Sequence, residues 1–303
     1  MLSVVIPFRN IGDFAGLCLF SIGETIRQLN LLDQTEFILI DDASDPSNDM
    51  AGHFERFRKS TPARTTLLML RSRQYYTYAC SLGFSTATGD TIMLVSHDMI
   101  VPPGYVRTLL RLAKAHPSLG ILRGSSEHID GFPQHVIKPP APCRNYGEVC
   151  QFSEQVASGW SGELFEDRAL IADSVMVTRN VLDKIGVMDT RFRHLFGDLD
   201  WGLRAQRAGF KLVCARGAWL HHEGGGHAKK MIAGGTSVAE VDREMKQLVT
   251  SNFEMFRKKW GEDLPTENDA TMNEHFQRLR ALPPRPDDYV PPLKIDPAVC
   301  TVL

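Results

Sequence analysis

Along the first hundred residues, short apolar runs alternate with longer amphipathic stretches. Residues 2–7 (LSVVIP), 36–41 (EFILID), 65–70 (TTLLML) and 91–96 (TIMLVS) place β-branched or long aliphatic side chains at successive positions, as strands covered on both faces do. The intervening stretches 12–29, 47–59 and 75–87 have helix length. Strand and helix in turn predict βα units around a mostly parallel sheet, an α/β fold.

Beyond Asp98 the pattern loosens. Pro102-Pro103 opens a helix running to Ala115, and a strand follows over 119–123. Residues 124–166, rich in Pro, Gly and aromatic side chains, read as one long irregular segment of the kind that binds substrate. A strand over 169–177, helices over 179–186 and 198–208, and a strand pair over 210–222 come next. Ser237 and Glu240 form a capping box for a helix over 238–260, with Val238, Val241, Met245, Leu248, Phe253, Phe256 and Trp260 as its apolar face. From Ala281 onward, six prolines in 23 residues predict an extended tail, lying on the surface or disordered.

Composition narrows the function classes. With 303 residues the chain sits near the upper size for one core. Its 34 Lys and Arg against 36 Asp and Glu exclude the global basic excess of a nucleic-acid binder. No apolar run approaches the roughly 20 residues that span a bilayer, and residues 1–10 read as a strand and not a secretory signal. Peripheral membrane association stays open. Six cysteines without a CxxC pair point to reduced structural thiols and a cytoplasmic setting. The near-balanced charge is sorted locally: 36–49 holds five acids and no base, 55–73 six bases and one acid.

Ligands of open α/β sheets bind beyond the carboxyl ends of the strands. The residues there are Pro7 to Asn10, Asp41-Asp42, Arg71 to Arg73 and Ser96-His97-Asp98. Carboxylates converging at such a rim can hold a hard divalent cation that lets a diphosphate approach. The run His221-His222-Glu223-Gly224-Gly225-Gly226-His227 lacks the HExxH spacing of a zinc protease, and neither GxxxxGK[ST] nor GxGxxG occurs.

From about Leu2 to Gly226 these residues resemble the family 2 glycosyltransferases of the GT-A fold, inverting enzymes that use nucleotide-sugars. The resemblance is carried by Ser3-Val4-Val5-Ile6-Pro7-x-x-Asn10, by Ile40-Asp41-Asp42-Ala43-Ser44 and by Ala79-x-x-x-Gly83-x-x-x-Ala87-x-Gly89-Asp90. Further on it is carried by Thr178-Arg179 to Gly186-x-Met188-Asp189-x-Arg191-Phe192, by Asp198-x-Asp200-x-x-x-Arg204-x-x-x-x-Gly209, and by His222 ahead of Gly224 to Gly226. It implies a Rossmann-like three-layer α/β/α sandwich with a C-terminal helix and Pro-rich tail. Residues 1–100 would be the donor-binding half, 101–226 the acceptor-binding and catalytic half, and 227–303 a flexible loop, helix and tail.

The resemblance also implies roles. Asp42 would accept a hydrogen bond from a uracil or thymine ring, with Pro7 and Asn10 beside it. Asp98 and His222 would hold Mg2+ or Mn2+ bridging the two phosphates. Ser96 stands where the family usually has the first acid of an Asp-x-Asp motif, and Gly197 replaces a glutamate ahead of Asp198. Beside these implied roles, a glycine-rich loop carrying Lys229 and Lys230 would close over the diphosphate, with Arg71 and Arg73 after the third strand as competing partners. Asp198 would be the general base. Trp160, Glu163 and Asp200 would face the acceptor, a glycan or a lipid- or protein-linked group. Two other readings remain: a degenerate donor-binding module of the same fold, and a sugar-phosphate nucleotidyltransferase, which would want a glycine-rich loop after the first strand.

Overall fold

The computed structural model describes residues 1–129, 132–224, 237–261 and 270–303. Its strands in chain order are β1 (Leu2–Phe8), β2 (Thr35–Asp41), β3 (Arg64–Leu70), β4 (Thr91–Val95), β5 (Met99–Ile100), β6 (Ile121–Ser125), β7 (Leu164–Glu166), β8 (Ser174–Thr178), β9 (Leu212–Trp219), β10 (His221–His222) and β11 (Cys300–Val302). Nine of them form one sheet in the order β11-β3-β2-β1-β4-β8-β6-β9-β7, and β10 pairs with β5 in a small second sheet. Strands β3, β2, β1 and β4 run parallel, whereas β8 is antiparallel to both β4 and β6. The mostly parallel α/β sheet is the one the alternation predicts.

Successive side chains of a strand point to opposite faces, and the core divides accordingly. Val4, Ile6, Phe37 and Leu39 pack into one layer with α1 (Gly12–Gln28), α2 (Met50–Ser60) and α4 (Pro103–Ala115). Val5, Ile38 and Ile40 pack into the other with α3 (Tyr75–Thr86), α6 (Arg179–Ile185) and α7 (Gly197–Arg207). Helix α3 lies so close to β1 that a Cβ on Gly83 would stand 2.2 Å from Val5 Cγ1.

Three stretches differ from the sequence pattern. The segment 124–166 contains helix α5 (Tyr146–Gly159), capped where Asn145 Oδ1 accepts from the Glu148 N–H at 3.0 Å. Helix α8 (Val238–Trp260) has the predicted capping box, but its burial is confined to Leu248, Asn252, Phe256 and Trp260, and Val238 is exposed. Helix α9 (Ala270–Arg280) follows.

The tail is neither loose nor disordered. Val290 exchanges backbone hydrogen bonds with Ile185 and Val187, across a Gly186 whose φ of 71° leaves no room for a side chain against the Val290 carbonyl. Asp288 is buried beside Arg207 at 3.4 Å, and β11 closes the sheet edge antiparallel to β3. Main-chain pairing and a buried ion pair hold this proline-rich segment in place.

Candidate active site

The carboxyl ends of β1, β2 and β4 open onto a pocket lined by Pro7, Phe8, Asp42, Arg73, Tyr75 and His97, among others. Asp42 sits in its wall, buried, with Oδ1 accepting from the Gln74 N–H at 2.5 Å and Oδ2 from the Tyr75 N–H at 2.9 Å. Burial pushes its carboxyl up to about 6 despite these donors and nearby Arg9. Asp41 is spent locally, accepting from the Ser44 hydroxyl at 2.5 Å in an Asx-type turn.

Pro7 lines the pocket and its carbonyl accepts from His97 Nδ1 at 3.1 Å, so His97 packs on Phe8 instead of facing a cation. Asn10 does not join it. Its side chain exchanges hydrogen bonds with Asp45 at 2.9 and 2.8 Å, tying the loop after β1 to the loop after β2. Among the described residues, Asn10, Ala43, Tyr75, His194 and Phe196 all have positive φ, between 50° and 70°. Left-handed backbone at non-glycine residues is costly, and its concentration in the loops around one pocket marks a functional rim.

The short β5–β10 ladder pairs Met99 with His222, and the Glu223 N–H donates to the Asp98 carbonyl at 3.0 Å. It brings His222 Nε2 to 3.5 Å from Asp98 Oδ2. The other ring nitrogen donates to the His128 carbonyl at 2.8 Å. This fixes Nε2 as the atom presented to Asp98, the arrangement by which second-shell carbonyls orient metal-ligating histidines. Burial opposes ionisation of Asp98, but the hydrogen bond from His222 and the charges of His97 and His222 outweigh it and hold its carboxyl well below the usual range. Burial likewise opposes a charged His222, yet Asp98 and Asp173 raise it to about 9. Once the Nε2 proton is displaced, Asp98 Oδ2 and His222 Nε2 present one carboxylate oxygen and one imidazole nitrogen, a pair that fits a divalent cation. Among the described residues no third acid, histidine or cysteine converges at ligand distance, so the remaining positions suit phosphate oxygens and water.

Ser96 is turned to structure. Tyr76 OH donates to the Ala172 carbonyl at 2.7 Å and lies 3.0 Å from Ser96 Oγ, linking β4 to the segment before β8. That segment carries Asp173, which sequence reading missed: its carbonyl accepts from the Ser96 N–H at 2.9 Å and its Oδ2 lies 3.9 Å from His222 Nδ1. The one available sign was an isolated acid inside the apolar run 169–177.

Asp198 belongs to the first turn of α7 and is not its N-cap, a place taken by Phe196 at φ 68°. Its Oδ2 accepts from the Ala172 N–H at 3.2 Å and its Oδ1 from the Leu199 N–H at 2.9 Å. Burial pushes this carboxyl up to about 6, and through Ala172 it adjoins Asp173 and the Asp98–His222 pair. Asp200, expected at the acceptor, corrects differently. It is fully buried between Arg204 Nε at 2.8 Å, Trp260 Nε1 at 3.0 Å and Lys259 Nζ at 2.6 Å, so it fastens α7 to α8.

Other predicted partners separate. Arg73 lines the pocket, 4.3 Å over the Tyr75 ring and 2.5 Å from Glu244 of α8. Arg71 instead donates to the Pro297 carbonyl at 3.2 Å and is held by the tail, away from the pocket lining. Trp160 lies under the Arg216 guanidinium at 3.6 Å, and Glu163 reaches the same arginine at 3.9 Å. Glu163 lines a separate depression with Arg111 and His116 and not the Asp42 pocket. Lys229 and Lys230 lie outside the described residues.

A two-sided α/β/α sheet whose rim carries these acids and a paired histidine is the GT-A architecture. Residues 3–151 match the model of glycosyl transferase family 2. The fold is similar to mannosyltransferase PcManGT from Pyrobaculum calidifontis, solved with GDP-Man and Mn2+ (TM-score 0.57, 14% identity, 92% of this chain and 69% of that one). It is similar to TarS 1-349 of S. aureus with UDP (TM-score 0.53, 13% identity, 73% and 59%) and to GalNAc-T7 with UDP, GalNAc and Mn2+ (TM-score 0.53, 15% identity, 73% and 43%). The chain thus spans less than two thirds of the latter two. No curated protein matches it in sequence. Residues 3–151, about half of the chain, thus match a family 2 domain, and the fold is similar to that of GT-A glycosyltransferases that bind nucleotide-sugars. No helix among the described residues is long and apolar enough to cross a membrane.

Proposed function

We propose that the chain transfers a sugar from a UDP- or dTDP-linked donor to a hydroxyl of a glycan or other acceptor, with inversion at the anomeric carbon. The observation that carries this reading is Asp198, a carboxylate with a pKa raised to about 6, joined through the Ala172-Asp173 segment to the Asp98–His222 pair. A base with that pKa is largely ionised at neutral pH and accepts the acceptor's hydroxyl proton as the new bond forms. Inversion needs one such carboxylate on the sugar face opposite the leaving diphosphate. Asp98 Oδ2 and His222 Nε2 would hold Mg2+ or Mn2+, and a bound divalent cation offsets charge on the departing diphosphate.

Asp42 supports a pyrimidine base. Each of its oxygens keeps a lone pair beyond its backbone bond and can accept from a ring imide N–H. Arg73 would reach the phosphates after exchanging Glu244 for them. Six free cysteines support a reducing, cytoplasmic setting.

Nucleotide release from donor without acceptor, in the presence of Mn2+, tests the base assignment. The wild type should hydrolyse donor slowly and Asp198→Asn should not. Equal release by both would refute it.

A further inference from the structure

We propose that Asp173 is a positioning residue for the cation-binding histidine, supplying from the start of β8 the negative charge that Ser96 leaves out. The inference rests on the reading of Asp98 and His222 as the cation-holding pair.

The imidazole of His222 lies between two carboxylates. Nε2 is 3.5 Å from Asp98 Oδ2, and Nδ1 is 3.9 Å from Asp173 Oδ2. Because Nδ1 already donates to the His128 carbonyl at 2.8 Å, Asp173 acts through space on a ring whose tautomer is set. A carboxylate behind the second nitrogen makes the first a stronger donor to a cation, and such outer partners orient the ring.

Asp173 is held for this task from three sides. Its Oδ1 accepts from the Ser174 N–H at 2.7 Å and from Arg123 Nη2 at 3.4 Å. Its carbonyl accepts from the Ser96 N–H at 2.9 Å. Those bonds leave Oδ2 toward His222. They also couple Asp173 to position 96, the residue where the Asp-x-Asp motif lacks its first acid. Antiparallel β8 makes this geometry available, because its first residues reach the rim where the parallel strands end.

Mn2+ titration into the full chain without donor, followed by the electron paramagnetic resonance signal of free Mn2+, tests the assignment. Asp173→Asn should raise the Kd on the order of tenfold or more, Asp173→Glu should restore part of it, and Asp98→Asn should lose binding. Arg123 is buried and would lack its partner in Asp173→Asn, so the double variant Arg123→Met/Asp173→Asn is titrated beside it and should show the same weakening. Wild-type affinity in both Asn variants, with Asp98→Asn impaired, overturns the role of Asp173 and leaves the cation pair standing. A wild-type chain that takes up no Mn2+, with or without UDP, overturns the underlying pair as well.

Discussion

His222 Nε2 stands 3.5 Å from Asp98 Oδ2 because a two-residue ladder, His222 on Met99, folds the end of β9 back over the end of β4. The histidine's other nitrogen is pinned by the His128 carbonyl. The ladder and the pinned ring together set the Asp98–His222 geometry.

Asp198 gives activity and stability opposite pH dependences. The proposed base must be ionised to act, so kcat/KM should climb as pH rises through about 6 and then level. Its folded pKa lies above the ordinary 3.8. The folded state therefore binds the proton more tightly than the unfolded one, and the stability this contributes is full below about pH 4 and lost by about pH 6. Asp198→Asn should consequently be more stable than wild type near pH 8, by about 1–3 kcal/mol, with the gap closing near pH 4. Paired urea melts at the two pH values check this, and no gain near pH 8 would contradict the burial of the carboxylate.

Asp200 should behave as a structural residue. Removing its carboxylate leaves buried Arg204 with carbonyl partners but no counter-charge, while Lys259 keeps Asp189 at 3.1 Å, and breaking a buried ion pair costs up to about 3–5 kcal/mol. Asp200→Ala should lower the urea midpoint accordingly, and a loss under about 1 kcal/mol would show that the pair is dispensable.

The two arginines after β3 should separate in a nucleotide titration. Arg73 lines the pocket whereas Arg71 is engaged by the Pro297 carbonyl. Hydrogen bonds to charged groups are worth about 1.5–3 kcal/mol, so Arg73→Ala should weaken UDP binding about tenfold or more. Arg71→Ala should change it by less than about twofold. Equal losses in both would place the phosphates elsewhere.

What the sequence disclosed follows the range of the interactions. The runs over β1 and β2 are apolar on both faces, so their place in a covered sheet could be read locally. The start of α8 could be read because Ser237 and Glu240 satisfy each other within one turn. Asp42, Asp98, Asp198 and His222 could be named from motif resemblance. Asp173 could not, because its role depends on β8 running antiparallel to β4, a pairing between distant segments that periodicity does not encode. Asp200 was misread for a related reason: its partners Lys259 and Trp260 come from a helix far along the chain. The tail's prolines correctly signalled extended backbone but carried no sign of β11 or of Asp288 beside Arg207.

The central claim, a nucleotide-diphosphate site completed by a cation on Asp98 and His222, is tested most directly by thermal shift with UDP, dTDP and GDP, each with and without Mn2+. A ligand that binds only the folded chain raises its melting temperature by mass action. The account predicts a Mn2+-dependent shift with UDP or dTDP that disappears in Asp98→Ala. No shift with either pyrimidine nucleotide, or one unchanged by Mn2+ and by Asp98→Ala, would contradict it.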